Sequence, residues 1–281
     1  MTAAVLMPAS VDEAVELLER QPGSRILAGG TDYMIEVNYG HTEPRSIISL
    51  RAVDALRGWR REGDFIELGA GIRFADILDP RLAKLAPALA QSARTVGSPQ
   101  IRNAATLGGN VATASPAGDS LPVLFALDAV INIAGPKGRR STPISQFITG
   151  VKRTTLAAGE LIVSITIPVA SGPQEFIKVG RRNAMVIAIA NLALIVDAGA
   201  RKVACALGSV GPTIIRCGEA EALVSSQMNW ERTRVDSPKL FDEFSALCAK
   251  SARPITDHRA TADYRRHAIA VLARRALMRA L

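Results

Sequence analysis

The chain has 281 residues, 48% of them hydrophobic, 4% aromatic and 21% charged, with a net charge of +8. That length accommodates two or three α/β layers on one chain, and the apolar content excludes a disordered polymer. The positive charge is spread thinly, and its densest run, Arg265-Arg266 through Arg274-Arg275 to Arg279, is interleaved with Ala268, Ile269, Val271, Leu272 and Leu277, so it reads as the solvated face or subunit contact of a packed helix rather than a nucleic-acid surface.

In chain order, Ser10-Val11-Asp12-Glu13 is a capping box, and Val11, Ala14, Val15, Leu17 and Leu18 recur at helical spacing to about Arg20. Pro22-Gly23 stops that helix. Arg25 to Ala28 then reads as a short buried strand leading into Gly29-Gly30, and Ser46 to Leu50 as a second strand. The basic, irregular segment Arg51 to Gly63 is predicted to be a hinge. Beyond it the pattern Phe65 to Ala70 opens a second subdomain, with helices expected near Phe74–Leu78, over Leu82 to about Thr95, and over Asp119–Leu127. Strands are expected at Val130–Ile133 and Leu161–Ile167. Pro168 and Ser171-Gly172-Pro173 mark a boundary. After it, Phe176–Val179, Val186–Val196 and Lys202–Leu207 read as strands, with a turn at Asp197–Ala200, and helices begin at Gly218, Pro238 and Thr261. The run 184–196 is equally compatible with a buried helix, because a continuous apolar run hides its period; the turn after it favours a strand.

The apolar run from Ala184 to Val196 covers 13 residues, against roughly 20 for a membrane span. Met1 to Pro8 lacks the basic and apolar regions of a secretory leader. A soluble, cytoplasmic protein is expected. Cys205, Cys217 and Cys248 are far apart in sequence, giving neither a disulfide framework nor four-thiolate cluster spacing, and His41, His258 and His267 have no metal-ligand spacing. No metal site is therefore expected on this chain.

Two glycine loops carry the chemistry: Ala28-Gly29-Gly30-Thr31-Asp32 and Thr106-Leu107-Gly108-Gly109-Asn110. Paired glycines at a strand end can adopt φ > 0 and present successive N–H groups to one anion, so two such loops suit a pyrophosphate. Either loop alone is equally a chain turn. Neither is a Walker motif, and Gly69-Ala70-Gly71-Ile72-Arg73-Phe74 lacks the third glycine of the dinucleotide fingerprint.

The segment from Gly97 to Ser120, which includes Gly97-Ser98-Pro99-Gln100-Ile101-Arg102-Asn103 and the second loop, resembles the FAD-binding signature of the xanthine dehydrogenase and carbon monoxide dehydrogenase flavoproteins. The resemblance extends to Leu27–Asp32, the Leu156–Glu160 turn, Lys178 with Arg181-Arg182, and Asp263–Arg266. It implies an α+β fold: a vanillyl-alcohol-oxidase (PCMH-type) FAD domain over 1–172, with subdomains of about 1–55 and 64–172, followed by a small C-terminal α/β domain over 173–281 of the CO dehydrogenase flavoprotein type. By the same resemblance, Ile26, Leu27, Ala28, Gly29, Gly30, Thr31, Asp32 and Tyr33, together with Thr106, Leu107, Gly108, Gly109 and Asn110, cradle the cofactor's pyrophosphate and ribityl. Asp119 accepts from its hydroxyls, Val96 and Tyr33 stand against the isoalloxazine ring, and Ile162 and Lys178 make further contacts, with Lys178 as a cation near the flavin N1 and O2 edge. Asp119 is also suited to cap the helix beginning at Ser120, Val96 to end a helix as an ordinary aliphatic, and Lys178 to be a plain strand lysine.

The implied activity is electron relay. In the family, a molybdopterin-bearing large subunit hydroxylates the substrate, a small subunit with two 2Fe-2S clusters carries electrons, and the flavin subunit passes them to NAD or another acceptor. This chain has neither cluster ligands nor an evident acid–base pair, consistent with oxidoreductase chemistry supplied by the flavin. The alternatives are a self-contained FAD-dependent oxidoreductase of the same superfamily and a non-catalytic structural subunit.

Overall fold

The computed structural model describes residues 4–41 and 46–281, so Met1 to Ala3 of the amino-terminal stretch lie outside the described residues. The chain begins with β1 (Ala4–Leu6), α1 (Val11–Arg20), β2 (Arg25–Leu27), α2 (Tyr33–Asn38) and β3 (Ser46–Ser49). β1 and β2 both pair parallel to β3. Ser10 starts α1 by accepting the Glu13 N–H at 3.1 Å, while the Glu13 carboxylate accepts from the Ala9 N–H at 2.7 Å, so the capping box closes one residue further back than its pattern implies. Val11, Ala14 and Val15 on the inner face of α1 share a small core with Val53, Leu56 and Leu161.

The expected hinge at 51–63 is not one. Two 3₁₀ turns, Leu50–Ala52 and Asp54–Leu56, bury Val53 and Leu56, and β4 (Trp59–Glu62) pairs with β5 (Phe65–Gly69). The basic residues are misleading because β4 is an edge strand, where Arg60, Arg61 and Glu62 face water. The long helix expected from Leu82 is two, α3 (Pro80–Leu85) and α4 (Pro87–Thr95). Pro87 disfavours helical geometry at the residue before it, and Ala86 sits at φ −135°, ψ 66°. Near Phe74 there is only a 3₁₀ turn, Asp76–Leu78.

Then come α5 (Pro99–Ala104), α6 (Leu107–Thr113), α7 (Ser120–Ala126), β6 (Val130–Gly135), β7 (Gly138–Pro143), α8 (Ile144–Phe147), β8 (Ile148–Gly150), β9 (Arg153–Thr154) and β10 (Leu161–Pro168). Five strands form an antiparallel sheet in the order β4-β5-β10-β6-β7. After Ser171-Gly172-Pro173, β11 (Gln174–Val179), β12 (Ala190–Asp197), β13 (Lys202–Gly208) and β14 (Ile215–Arg216) make a second antiparallel sheet, followed by α9 (Gly218–Gln227), α10 (Pro238–Ser251) and α11 (Ala262–Ala280).

This second sheet is covered on both sides. Phe176, Ala193, Ile195, Ala204 and Ala206 join the large core that includes residues of α4 and α7, while Leu192, Leu194, Val196, Val203, Cys205 and Leu207 pack into the core shared with α9, α10 and α11. That explains why 184–196 shows no alternation: β12 has no wet face. The strand starts at Ala190, four residues later than expected, because 180–189 is irregular and Met185 takes a positive φ of 50°. The three cysteines, remote in sequence, converge in the second core. No helix among the described residues is long and apolar enough to cross a membrane.

Candidate functional site

A cleft of about 1480 Å³ opens between the parallel sheet, the 96–118 segment and the turn before β10. Ordinary small-molecule pockets reach roughly 1,000 Å³, so the cleft is sized for an extended ligand. Ile26, Leu27, Ala28, Gly29, Gly30, Thr31, Asp32, Tyr33, Val96, Thr106, Gly108, Gly109, Asn110 and Ile162 all line it. Leu107, Asp119 and Lys178 do not.

The two glycine loops meet, and they differ. A Cβ on Gly29 would lie 2.1 Å from the Ala104 carbonyl oxygen, so the first loop rests on the backbone immediately before the second. Gly30 has φ +73°, a conformation that costs other residues roughly 1–2 kcal/mol. No described residue accepts a hydrogen bond from the backbone N–H of Gly29, Gly30, Thr31, Asp32 or Tyr33. In the second loop the four backbone N–H groups from Leu107 to Asn110 are all used within the protein. The N–H of Leu107 donates to Ile72 O at 3.0 Å, that of Gly108 to Ala70 O at 2.8 Å, that of Gly109 to Thr106 Oγ1 at 3.1 Å and that of Asn110 to Thr106 O at 3.0 Å. Gly108 and Gly109 are thus the capped first turn of α6, not a turn of exposed donors. Gly108 is needed for packing: a Cβ there would lie 2.6 Å from Ala70 Cβ.

Asp119 and Lys178 sit behind the wall as a buried ion pair. Lys178 Nζ donates to Asp119 Oδ2 at 2.5 Å and to Thr95 O at 3.1 Å, while Asp119 also accepts from Thr95 Oγ1 and Asn191 Nδ2, each at 3.0 Å. Burial pushes the Asp119 carboxyl up, and the Lys178 ammonium pulls it back. Asp119 does not cap α7: its backbone is already helical at φ −65°, ψ −31°, and its oxygens are engaged elsewhere. The pair therefore ties β11 and β12 to the end of α4, one residue before Val96.

Three features of the site escape sequence reasoning. Arg102 Nη1 donates to Val96 O at 3.0 Å and Gly97 O at 3.1 Å, fixing the bend beside Val96. Its position inside the 97–120 segment was the available signal. Glu160 braces the 156–161 turn on the opposite wall: Arg140 reaches its two oxygens at 2.7 Å each, and the Ala157 N–H donates to it at 2.8 Å. The Arg140 guanidinium holds the Glu160 carboxyl below its usual range. The two lie 20 residues apart, and no sequence pattern links them. Finally, the Tyr33 hydroxyl is buried without a partner among the described residues, although Tyr33 lines the cleft.

Comparison with known proteins places this architecture. Residues 1–170 match the family model described as the FAD binding domain in molybdopterin dehydrogenase, and residues 175–280 match that of the CO dehydrogenase flavoprotein C-terminal domain. The chain belongs to the FAD-binding medium subunits of the molybdenum hydroxylase family. Within this family it is 30% identical over 277 residues to the nicotine 6-hydroxylase medium subunit of Paenarthrobacter nicotinovorans, covering 97% of this chain and 95% of that one. It is 31% identical over 278 residues to the carbon monoxide dehydrogenase medium chain of Hydrogenophaga pseudoflava, covering 96% and 94%. A solved structure of carbon monoxide dehydrogenase from the same organism, lacking the Mo-pyranopterin moiety of its molybdenum cofactor, superposes with a TM-score of 0.90 at 28% identity, covering 100% of this chain and 97% of that one. Family membership identifies the chain as an FAD-binding component of an oxidoreductase.

Proposed function

We propose that this subunit holds FAD extended along the cleft and relays electrons from 2Fe-2S clusters on a small partner subunit, fed by a molybdopterin-bearing large subunit, to NAD or another acceptor. The observation that carries the reading is the row of five unused N–H groups from Gly29 to Tyr33, seated against the backbone just before the second loop. Such a row suits the oxygens of a pyrophosphate. The unpartnered Tyr33 hydroxyl fits the same ligand. When bound, the flavin supplies the redox chemistry, accepting electrons in one place and releasing them in another.

The chain's own residues bind and orient. Gly29 to Tyr33 donate to the phosphates. Ser120 Oγ donates to Asn110 Oδ1 at 2.7 Å, which leaves Asn110 Nδ2 to donate to the cofactor. Val96 and Tyr33 provide contact against the ring, Ile162 makes a further contact from the cleft wall, and Asp119 and Lys178 act from behind by holding Thr95 and so the bend at Val96.

Relay is favoured over self-contained catalysis by the state of the cleft's acids. Glu36 pairs with Arg25 and Lys152, Asp76 with Arg73 and Glu160 with Arg140, while Asp32 accepts from Thr113 Oγ1 at 3.4 Å; no histidine lines the wall among the described residues. Three of the four acids that line the cleft are thus held in ion pairs rather than standing ready for an organic substrate.

The test is to purify the chain alone and with its partner subunits. The chain alone is expected to be yellow, to release flavin in acid, and to oxidise no organic substrate until the molybdenum and iron–sulfur subunits are added. A colourless chain that refuses added FAD defeats the cofactor reading, and substrate oxidation by the isolated chain defeats the relay reading.

A further inference from the structure

Cys205 on β13, Cys217 directly before α9 and Cys248 in α10 bring three sulfurs to one point of the second core. All three Sγ atoms lie within 4.8 Å of one another, Cys205 and Cys248 are 3.9 Å apart, and each residue is 0% exposed. The convergence is held by structure rather than by sequence proximity: the Cys217 N–H donates to Cys205 O at 2.9 Å, and α9 packs on both β13 and α10.

Three sulfurs are one more than a disulfide uses and one fewer than a four-thiolate zinc or iron–sulfur site. Thiolates around one ion at about 2.3 Å in a plane stand about 4 Å apart, which is the spacing already present between Cys205 and Cys248. The nearest carboxylate is not available as a fourth ligand: Glu221 Oε1 accepts from the Cys205 N–H at 2.9 Å and from Arg216 Nε at 2.7 Å. The rest of the surroundings are apolar apart from the Ser251 hydroxyl, which donates to Leu247 O at 2.9 Å and, as a neutral oxygen, is a poor ligand for a soft ion. Hard cations seek oxygen, and only soft ions accept an all-thiolate set of low number.

We propose that Cys205, Cys217 and Cys248 form a three-coordinate site for a soft monovalent ion of the Cu(I) type. In binding, each thiol gives up its proton as a sulfur–metal bond forms, so one ion enters, three protons leave, and no electron is transferred. The ten-residue helix α9 begins at Gly218, and its amino-terminal end supplies positive potential beside Cys217. The site lies in the core under α9 to α11, apart from the cleft residues, so its occupancy and the flavin are separate properties of the chain.

The test uses the full flavin-loaded chain under reducing, anaerobic conditions, with Cu(I) offered from a chromophoric chelator and, separately, with copper present during expression. One equivalent of copper with three sulfur neighbours by X-ray absorption is expected. Cys217→Ser and Cys248→Ala should each weaken capture at least tenfold against the chelator while flavin content is unchanged. If either variant fails to fold, Cys205→Ala supplies the comparison, and the sulfur count on the unmodified chain decides independently. Absence of copper under both loading conditions, capture unchanged by the cysteine variants, or tighter binding of zinc with four ligands overturns the proposal.

Discussion

At Gly29-Gly30 the backbone turns through a positive φ and five successive donors find no acceptor among the described residues, whereas at Gly108-Gly109 the same dipeptide opens a helix whose every N–H from Leu107 to Asn110 is satisfied internally. The first loop leaves its donors unused beside the cleft; the second spends the donors from Leu107 to Asn110 within the protein and brings α6 against Ala70. Glycine serves two physical needs here. One is conformational freedom and the other is the absence of a Cβ where backbones nearly touch.

The largest effects should come from filling those near contacts. Gly108→Ala places a methyl 2.6 Å from Ala70 Cβ and should destabilise the domain by about 2–3 kcal/mol, seen as a lower melting temperature of the flavin-free chain. Gly29→Ala meets a backbone carbonyl at 2.1 Å and should displace the first loop, abolishing flavin retention with a smaller loss of melting temperature. Gly109→Ala meets only the capping Thr106 Oγ1, at 2.9 Å, and must shift it; the roughly 1 kcal/mol of cap lost offsets up to about 1 kcal/mol of helix propensity gained, so it should retain flavin with little change in melting temperature. Were Gly108→Ala to lose flavin at unchanged melting temperature, the two loops would be donors alike and the contrast would fall.

A smaller effect is expected from the wall opposite the loops. Glu160→Gln removes the charge that Arg140 grips at two 2.7 Å contacts and should cost about 1–2 kcal/mol. The folded carboxyl lies below its ordinary value, chiefly through its hydrogen bond with Arg140. Its contribution is therefore present above the unfolded carboxylate pKa of about 4.3 and is lost as pH falls through the lower folded value. Acid titration of flavin fluorescence should show release beginning at higher pH in Glu160→Gln than in the unmodified chain. Identical release curves would mean that the turn at 156–161 holds nothing.

What sequence reveals and what it hides divide along physical lines. Local signals are legible: the Ser10 cap starts α1, and Pro238 and Thr261 stand at the starts of α10 and α11. The cleft residues are legible too, because the loops are contiguous and a 24-residue segment carries the family resemblance. Hidden features depend on contacts across the fold. The pairing of Lys178 on β11 with Asp119, 59 residues away, has no signature in the sequence. Arg51 to Gly63 reads as a hinge because edge-strand charge looks like a linker, and β7, with its Gly-Arg-Arg-Ser-Thr-Pro sequence, gave no strand pattern at all. The cysteines lie 12 and 31 residues apart in sequence and meet only through the packing of β13, α9 and α10. The second glycine loop hides its use of donors, since Gly-Gly in the first turn of a helix and Gly-Gly in an open loop are the same letters.

Residue-resolved amide hydrogen exchange, with and without FAD, tests the division of labour between the loops most directly. In the flavin-free chain, Gly29 to Tyr33 should exchange rapidly and Leu107 to Asn110 slowly, and FAD should protect the first set strongly while barely altering the second. Protection gained chiefly at Leu107 to Asn110, or slow exchange at Gly29 to Tyr33 before FAD is added, would contradict the account.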